Sequence, residues 1–393
     1  MRDAVIVDAV RTPIGKGKPG GALHGVHPVA LLGGTIAALI ERTGLDPRLV
    51  DDVIGGTVSQ VGEQAYNTTR WAALSAGLPE SVPATTIDRQ CGSSQQAVHF
   101  AAQGIISGAY DVVIAAGVES MSRVPMGSAV LPGTDPFGPD IARRYPDGLV
   151  PQGISAELIA AKWSLSRAEL DEFAAASHQR AAAAHAHGLF DSQIVPVSTA
   201  DGLVSTDESV RPGTTPEVLA GLRPAFANDV MARRFPQINW SVTAGNSSPI
   251  NDGAAALLIM SSDKAAELRL RPLARLHSFA VVGDDPLMML TAVIPATEKV
   301  LKRAGLSLSD IDLFEVNEAF SSVVLAWQRA TGADLSRVNV NGGAIALGHP
   351  LGGSGARIMT TLVNALQQRG ARYGLQTMCE AGGLANATIL EAL

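Results

Sequence analysis

Three features of this chain predict an α/β protein. Short apolar runs alternate with longer amphipathic ones, as strands and helices do in layered α/β folds. The alternation starts again after residue 270, and the two halves are alike in outline, so an internal repeat is expected. At 393 residues the chain also exceeds the roughly 250–300 residues that one core serves, so it should divide into domains.

The elements follow in order. Asp3–Ala9 reads as a strand, broken at Arg11-Thr12-Pro13, and Pro28–Arg42 as a helix ending before Gly44. Val53–Gly55, Thr85–Ile87 and Val112–Ala116 read as buried strands, with helices at Thr68–Ala76 and Gly92–Ser107 between them. Asn251-Asp252-Gly253 carries a turn signal before the apolar run Ala254–Met260. After residue 270 the expected strands are Leu273–Val282, Ile311–Val316, Val338–Val340, Leu375–Met378 and Ala387–Leu390, and the expected helices Ala296–Ala304, Ala319–Ala330 and Gly353–Gln368. Residues 120–245 break the rhythm with six prolines between Pro125 and Pro151, then an Ala-rich helix pair near 155–187. We read them as an insertion forming a lid. The expected division is 1–119 with 246–269, 120–245, and 270–393.

Composition narrows the function. A net charge of −7 with no Lys/Arg block argues against a nucleic-acid partner, which needs clustered cations. No apolar run approaches the ~18 residues of a membrane span. Two cysteines make no disulfide framework, and no signal-peptide core opens the chain, so a reducing cytoplasm is expected. The sequence contains no Gly-x-Ser-x-Gly elbow, His-Glu-x-x-His or Cys-x-x-Cys, and no metal is expected. His185 and His187, in the Ala-rich helix, are expected to be solvated.

Both cysteines stand where thiol chemistry could be built. Cys91, in Asp88-Arg89-Gln90-Cys91-Gly92-Ser93, lies at a strand-to-helix junction, where the helix dipole favours thiolate and Gly92 could leave room for a ligand. The alternative is an inert buried thiol. His349 stands in Gly348-His349-Pro350-Leu351-Gly352-Gly353. Ser354 follows where a phosphate loop would need lysine, so the glycines more plausibly present the imidazole to a ligand. Cys379 precedes a turn through Gly382-Gly383 whose N–H groups could converge on an oxyanion; the alternative is a plain strand end. Asn317 could simply cap the helix that follows it.

Together these segments resemble the thiolase family of acetyl-CoA acyltransferases. The likeness runs through VIVDAVRTPIG at Val5–Gly15, Asp88–Gln95, Gly117–Ser122, Leu222–Phe226, Thr243–Asn246, Asn251–Ala255, Asn317–Phe320, NGGAIALGHPLGG at Asn341–Gly353, and Cys379–Gly383. It implies a five-layered αβαβα fold of two similar halves with a covering insertion, and a homodimer or homotetramer. It implies that Cys91 is the acylated nucleophile, His349 its base and Cys379 the acid/base at the α-carbon. Asn317 would hold a water that forms one oxyanion site with His349, and the N–H groups of Cys91 and Ala381 would form the other. Arg211 and Ser248 fall on coenzyme A (CoA) contact positions, and Leu149, Phe226 and Phe320 on substrate-lining ones. CoA enters as a substrate, with no resident cofactor.

Three positions depart from the family pattern: Ala381 for a glycine, Pro249 after Ser248, and Gln152 where biosynthetic relatives carry His-Met. The expected activity is degradative cleavage of a 3-oxoacyl-CoA. The alternatives are an acetoacetyl-CoA-forming acetyltransferase and a CoA-thioester binding protein without turnover.

Overall fold

The computed structural model describes residues 2–393. Its strands are β1 (Ala4–Arg11), β2 (Gly15–Lys16), β3 (Asp52–Gly56), β4 (Ala84–Ile87), β5 (Val112–Ser120), β6 (Val197–Thr199), β7 (Gly202–Val204), β8 (Asn251–Ser261), β9 (Ala274–Gly283), β10 (Leu313–Val316), β11 (Tyr373–Glu380) and β12 (Leu384–Ala392). Ten of them form one sheet in the order β10-β11-β12-β9-β1-β8-β5-β3-β4, with β2 on β8.

The expected repeat is visible in that order. In the first half, β3 runs parallel to β4 and β5, while β8 is antiparallel to β5 and β1. In the second, β10 runs parallel to β11, while β12 is antiparallel to β11 and β9. Within the described sheet, strand pairing links the halves only at Val5↔Arg275 and Ile6↔Ala274, between β1 and β9. Each half therefore behaves as its own sheet.

Helices Ser93–Ser107 and Leu351–Arg369 pack on each other between the two sheets. Their facing residues are small or apolar, with Ala97, Ala101, Ala356 and Met359 in one core with Ile6, Leu257 and Leu390. Polar contacts tie the layer across: Gln95 Nε2 donates to Thr388 Oγ1 at 2.8 Å. Helices Pro28–Thr43 and Thr68–Ser75 cover the outer face of the first half; Val293–Ala304 and Ser321–Thr331 cover the second. The result is five layers, αβαβα. Both central helices begin at loops on the same site, one after Cys91 and the other after His349.

The segment between β5 and β8 adds no strand to this sheet. Its helices Gln152–Lys162 and Arg167–Ala186 pack on Ser321–Thr331, sharing a core with Trp327 and Val324 of the second half. It leaves one half and lies against the other, which carries Gln152 and Phe226 to the site.

Four local expectations are corrected. Asn251-Asp252-Gly253 is no turn but the start of buried β8; Asn251 Nδ2 donates to Gly15 O at 2.8 Å, and Asp252 accepts from Ser122 N at 2.8 Å. Val338–Val340 forms no strand. Asn339 turns to φ 47° and its side-chain amide closes both hydrogen bonds to Val316, at 2.9 Å each, in place of a backbone ladder. The helix expected from Ala319 starts at Ser321, with Phe320 in the cap position, so Asn317 does not cap it. His185 is not free in solvent, since its Nε2 lies 3.0 Å from Asp207 Oδ2.

Candidate active site

Cys91 stands two residues before helix Ser93–Ser107, on a loop held by its own side chains. Gln90 takes φ 48°, and its N–H is caught by Asp88 Oδ1 at 2.6 Å. Ser93 Oγ donates to Gln90 O at 2.6 Å and accepts from Arg89 N at 2.9 Å. The thiol does not have the lowered pKa expected at a helix start. Burial and the Glu380 carboxylate push it up to about 12, against its own N–H and the Gln152 amide. Near neutral pH Cys91 rests as a thiol. Nor does Gly92 leave room for a ligand; a Cβ there would collide with the Glu380 carboxyl.

His349 is buried, and its backbone N–H donates to Asn251 Oδ1 at 3.0 Å. Its Nδ1 lies 2.7 Å from Ser354 Oγ, which spends its own hydrogen on Pro350 O at 2.8 Å. Ser354 must therefore accept, so Nδ1 carries the proton and Nε2 is left as a lone pair with no protein partner. Burial and the Arg357 charge push the ring down to about 3, which keeps it neutral.

Cys379 is the last residue but one of β11, paired with Ala385 of β12. Burial, then Cys91 and Glu380, hold its thiol well above the ordinary range. Beyond it the left-handed positions fall on Gly382 (φ 84°) and Gly383 (φ 80°); Ala381 is not among the positive-φ residues. Alanine thus fits where the family carries glycine, and its N–H stays available. Asn317 is buried with both side-chain atoms, Oδ1 and Nδ2, unpartnered, while its N–H donates to Thr377 O at 3.0 Å.

All of these residues but Asn317 surround one cavity of about 560 Å³, lined by Cys91, His349, Cys379 and Ala381 among others. Ser248, Phe226, Phe320, Pro249 and Gln152 line it too. Phe226 meets Phe320 edge-on, with ring centroids 6.0 Å apart. Asn317 is not on this lining. Leu149 lines a neighbouring cavity of about 470 Å³ that shares Pro151 with the first. Arg211 is exposed and lies on neither lining; its N–H donates to His178 Nδ1 at 3.2 Å. Two thiols, an imidazole lone pair and strand-end N–H groups around one space can attack a carbonyl, move its protons and hold an oxyanion.

The comparisons agree with this geometry. Residues 4–263 match the family model described as thiolase, N-terminal domain, and residues 270–392 the thiolase C-terminal domain. The chain belongs to the thiolase family. It is 46% identical over 401 residues to the steroid 3-ketoacyl-CoA thiolase FadA6 of Mycobacterium tuberculosis, covering 100% of this chain and 95% of that one. It is also 46% identical over 400 residues to the 3-ketoacyl-CoA thiolase of Pectobacterium carotovorum, covering 100% of both. The crystal structure of the Bacillus anthracis acetyl-CoA acetyltransferase superposes with a TM-score of 0.89 at 40% identity, covering 100% of this chain and 99% of that one.

Three residues of this thiolase site escaped the reading of the sequence as functional. Asn251 holds the His349 loop, but looked like a turn residue. Glu318 accepts from Ser177 Oγ at 2.6 Å and Ile345 N at 3.1 Å, binding the insertion to the loop before His349. Its neighbour Asn317 drew the attention. Glu380 is buried behind Cys91, and its only signal was a charged residue ending an apolar run.

Proposed function

We propose that this thiolase cleaves a 3-oxoacyl-CoA with CoA, giving acetyl-CoA and a shortened acyl-CoA. The observation that carries the reading is the single cavity lined by Cys91, His349 and Cys379 together. Full-length relatives named 3-ketoacyl-CoA thiolase support it.

His349 Nε2, held as a lone pair, takes the Cys91 proton as Sγ attacks the keto carbon. The charge on the former keto oxygen is met by the N–H groups of Cys91 and Ala381, and the charge that then forms on the thioester oxygen of the departing acetyl-CoA is met by a water held on Asn317 together with His349. The bond between α-carbon and keto carbon breaks, and its electron pair goes to the departing acetyl-CoA. Cys379 supplies the proton to that carbon. CoA then attacks the acyl-Cys91 thioester, its thiol proton passing to the Cys379 thiolate; the oxyanion is met by the N–H groups of Cys91 and Ala381, and Cys91 leaves with the proton that His349 returns to it. CoA is a substrate, and no resident cofactor is required.

Ser248 is assigned to CoA, anchored by its N–H on Ala319 O at 2.9 Å. Phe226 and Phe320 are assigned to the thioester's apolar path, and Leu149 to its continuation. Arg211 would meet the nucleotide only outside the lining, as an exposed cation. We assign 1–119 with 246–269 and 270–393 to the two halves and 120–245 to the lid. A homodimer or homotetramer acting in the cytoplasm completes the reading; no described helix is long and apolar enough to cross a membrane.

A second reading, an acetoacetyl-CoA-forming acetyltransferase, draws on the Bacillus anthracis structure. Thiolysis rates for acetoacetyl-CoA against longer and cyclic 3-oxoacyl-CoAs separate the two. Preference for the longer or cyclic substrates is expected; a strong preference for acetoacetyl-CoA overturns the degradative reading. Binding without turnover on every substrate would leave only a CoA-thioester binding protein.

A further inference from the structure

Glu380 has no part in the mechanism above, yet it stands behind the nucleophile. It follows Cys379 on β11, and strand alternation turns it to the face of Met378, which packs with Cys91. Its side chain fills the space that a Cβ on Gly92 would occupy. The residue is fully buried, is not on the cavity lining, and neither carboxyl oxygen makes a well-formed hydrogen bond, the Asn386 N–H lying near but outside good geometry. The charged and titratable groups facing it are Asp88, Arg89 and Cys91 on the loop and Cys379 on its own strand. Arg89 forms no hydrogen bond to it, and Arg89 Nε is itself unpartnered.

We infer that Glu380 is a positioning residue that works only as a neutral acid: it fixes the Cys91 loop from behind, and its ionisation opposes formation of either thiolate. The inference rests on the reading of Cys91 as nucleophile. A carboxyl sealed from water without a well-formed hydrogen bond or ion pair keeps its proton. Burial pushes Glu380 up to about 9, with Arg89 drawing it down, Asp88 raising it and the Asn386 N–H drawing it down least. Below that pH the Cys91 loop has an uncharged support. Above it an anion stands behind both sulfurs, and both thiols hold their protons more tightly.

The test compares wild-type enzyme with Glu380→Gln, which keeps the shape and cannot ionise. Iodoacetamide alkylation of Cys91, read by peptide mass, is followed across pH 7 to 10. In the wild type the rate should climb about tenfold per pH unit and then bend near pH 9, as Glu380 ionises. In Glu380→Gln the climb should continue, leaving the variant several-fold more reactive at pH 10. The kcat/KM profiles should diverge in the same range, with values near pH 7 retained within a few-fold. Superimposable profiles in a folded variant overturn the inference. If Glu380→Gln does not fold, Glu380→Met, uncharged and of similar length, takes its place: its alkylation rate should climb without the bend near pH 9, and a bend retained there overturns the inference. Incubation with acyl-CoA separates this from the parent reading. No acyl adduct on wild-type Cys91 defeats the nucleophile assignment, whereas an adduct with unchanged pH profiles defeats only the role of Glu380.

Discussion

His349 Nδ1 lies 2.7 Å from Ser354 Oγ, and that single contact decides which nitrogen of the ring is free to accept a proton. The serine hydrogen is committed to Pro350 O, so the imidazole must donate at Nδ1 and present a bare Nε2. Ser354→Ala removes the acceptor and frees the ring to tautomerise or turn. A general base contributes ~10²–10⁴ in rate, and losing its orientation should lower kcat on the order of 10-fold with KM little changed. Steady-state kinetics on one 3-oxoacyl-CoA checks this. An equal rise in KM with unchanged kcat would mean that Ser354 serves binding instead.

The resting Cys91 and His349 form a neutral pair. The thiol is pushed up to about 12 and the imidazole down to about 3, both chiefly by burial. In the proposed mechanism, proton transfer therefore waits for substrate, whose developing oxyanion changes the balance. The free enzyme should show no thiolate plateau: between pH 7 and 8.5, alkylation of Cys91 should rise about tenfold per unit. A pH-independent fast rate across that range would indicate a preformed thiolate–imidazolium pair.

The two sulfurs should fail differently when replaced. Cys91→Ser should lose acyl transfer almost wholly, because a serine hydroxyl beside a base of low pKa is a poor nucleophile. Cys379→Ser should still take an acyl group from acyl-CoA, seen as an intact-mass increase, while carbon–carbon cleavage falls by on the order of 10² or more. Loss of acylation in both would make Cys379 essential to acyl exchange between CoA and Cys91 as well as to carbon–carbon cleavage.

Sequence periodicity carried the strands, because their apolar runs are buried in sheets of small residues. The Cys91, His349 and Cys379 loops were readable because each interrupts such a run with polar or glycine residues. What escaped depends on distant partners. Asn251 and Asp252 look like turn formers, but inside β8 they are satisfied by Gly15 and Ser122 from elsewhere in the chain. Asn339 looks like strand until its side chain takes over the pairing with Val316. The raised Cys91 pKa depends on burial and on Glu380, almost 290 residues away in sequence, and no local motif announces either.

Asn317 offers a separation of catalysis from folding. Its side chain makes no hydrogen bond to protein although it is buried. Asn317→Ala therefore removes no protein contact of that kind, and should change the thermal midpoint little. It should cost ~10²–10³ in kcat if the amide holds the oxyanion water. Thermal unfolding and kinetics on the same preparation check both halves. A large fall in stability with proportionate activity loss would return Asn317 to a purely structural role.

The insertion is tied to β1 by a buried ion pair, and its loss should be felt far from the cavity. Arg11 meets Asp207 with two hydrogen bonds, 2.7 and 2.9 Å, and Ile14 N and His185 Nε2 share the same carboxylate. Burial alone would raise Asp207, but Arg11 and His185 outweigh it and hold the carboxyl well below the usual range. A group with a depressed folded pKa stabilises the fold above its unfolded value, ~3.9, and that contribution is lost as pH falls toward the folded value. Asp207→Ala leaves Arg11 buried and unpaired, at a cost of ~3–5 kcal/mol near neutral pH. The gap in urea midpoint between wild type and variant should be widest at pH 6 to 8 and narrow below about pH 4. Replacing both partners by apolar residues should recover much of the loss, since a buried pair removed together strands no charge. A gap that stays constant down to pH 3 would mean that the carboxylate's charge is not what holds the insertion in place.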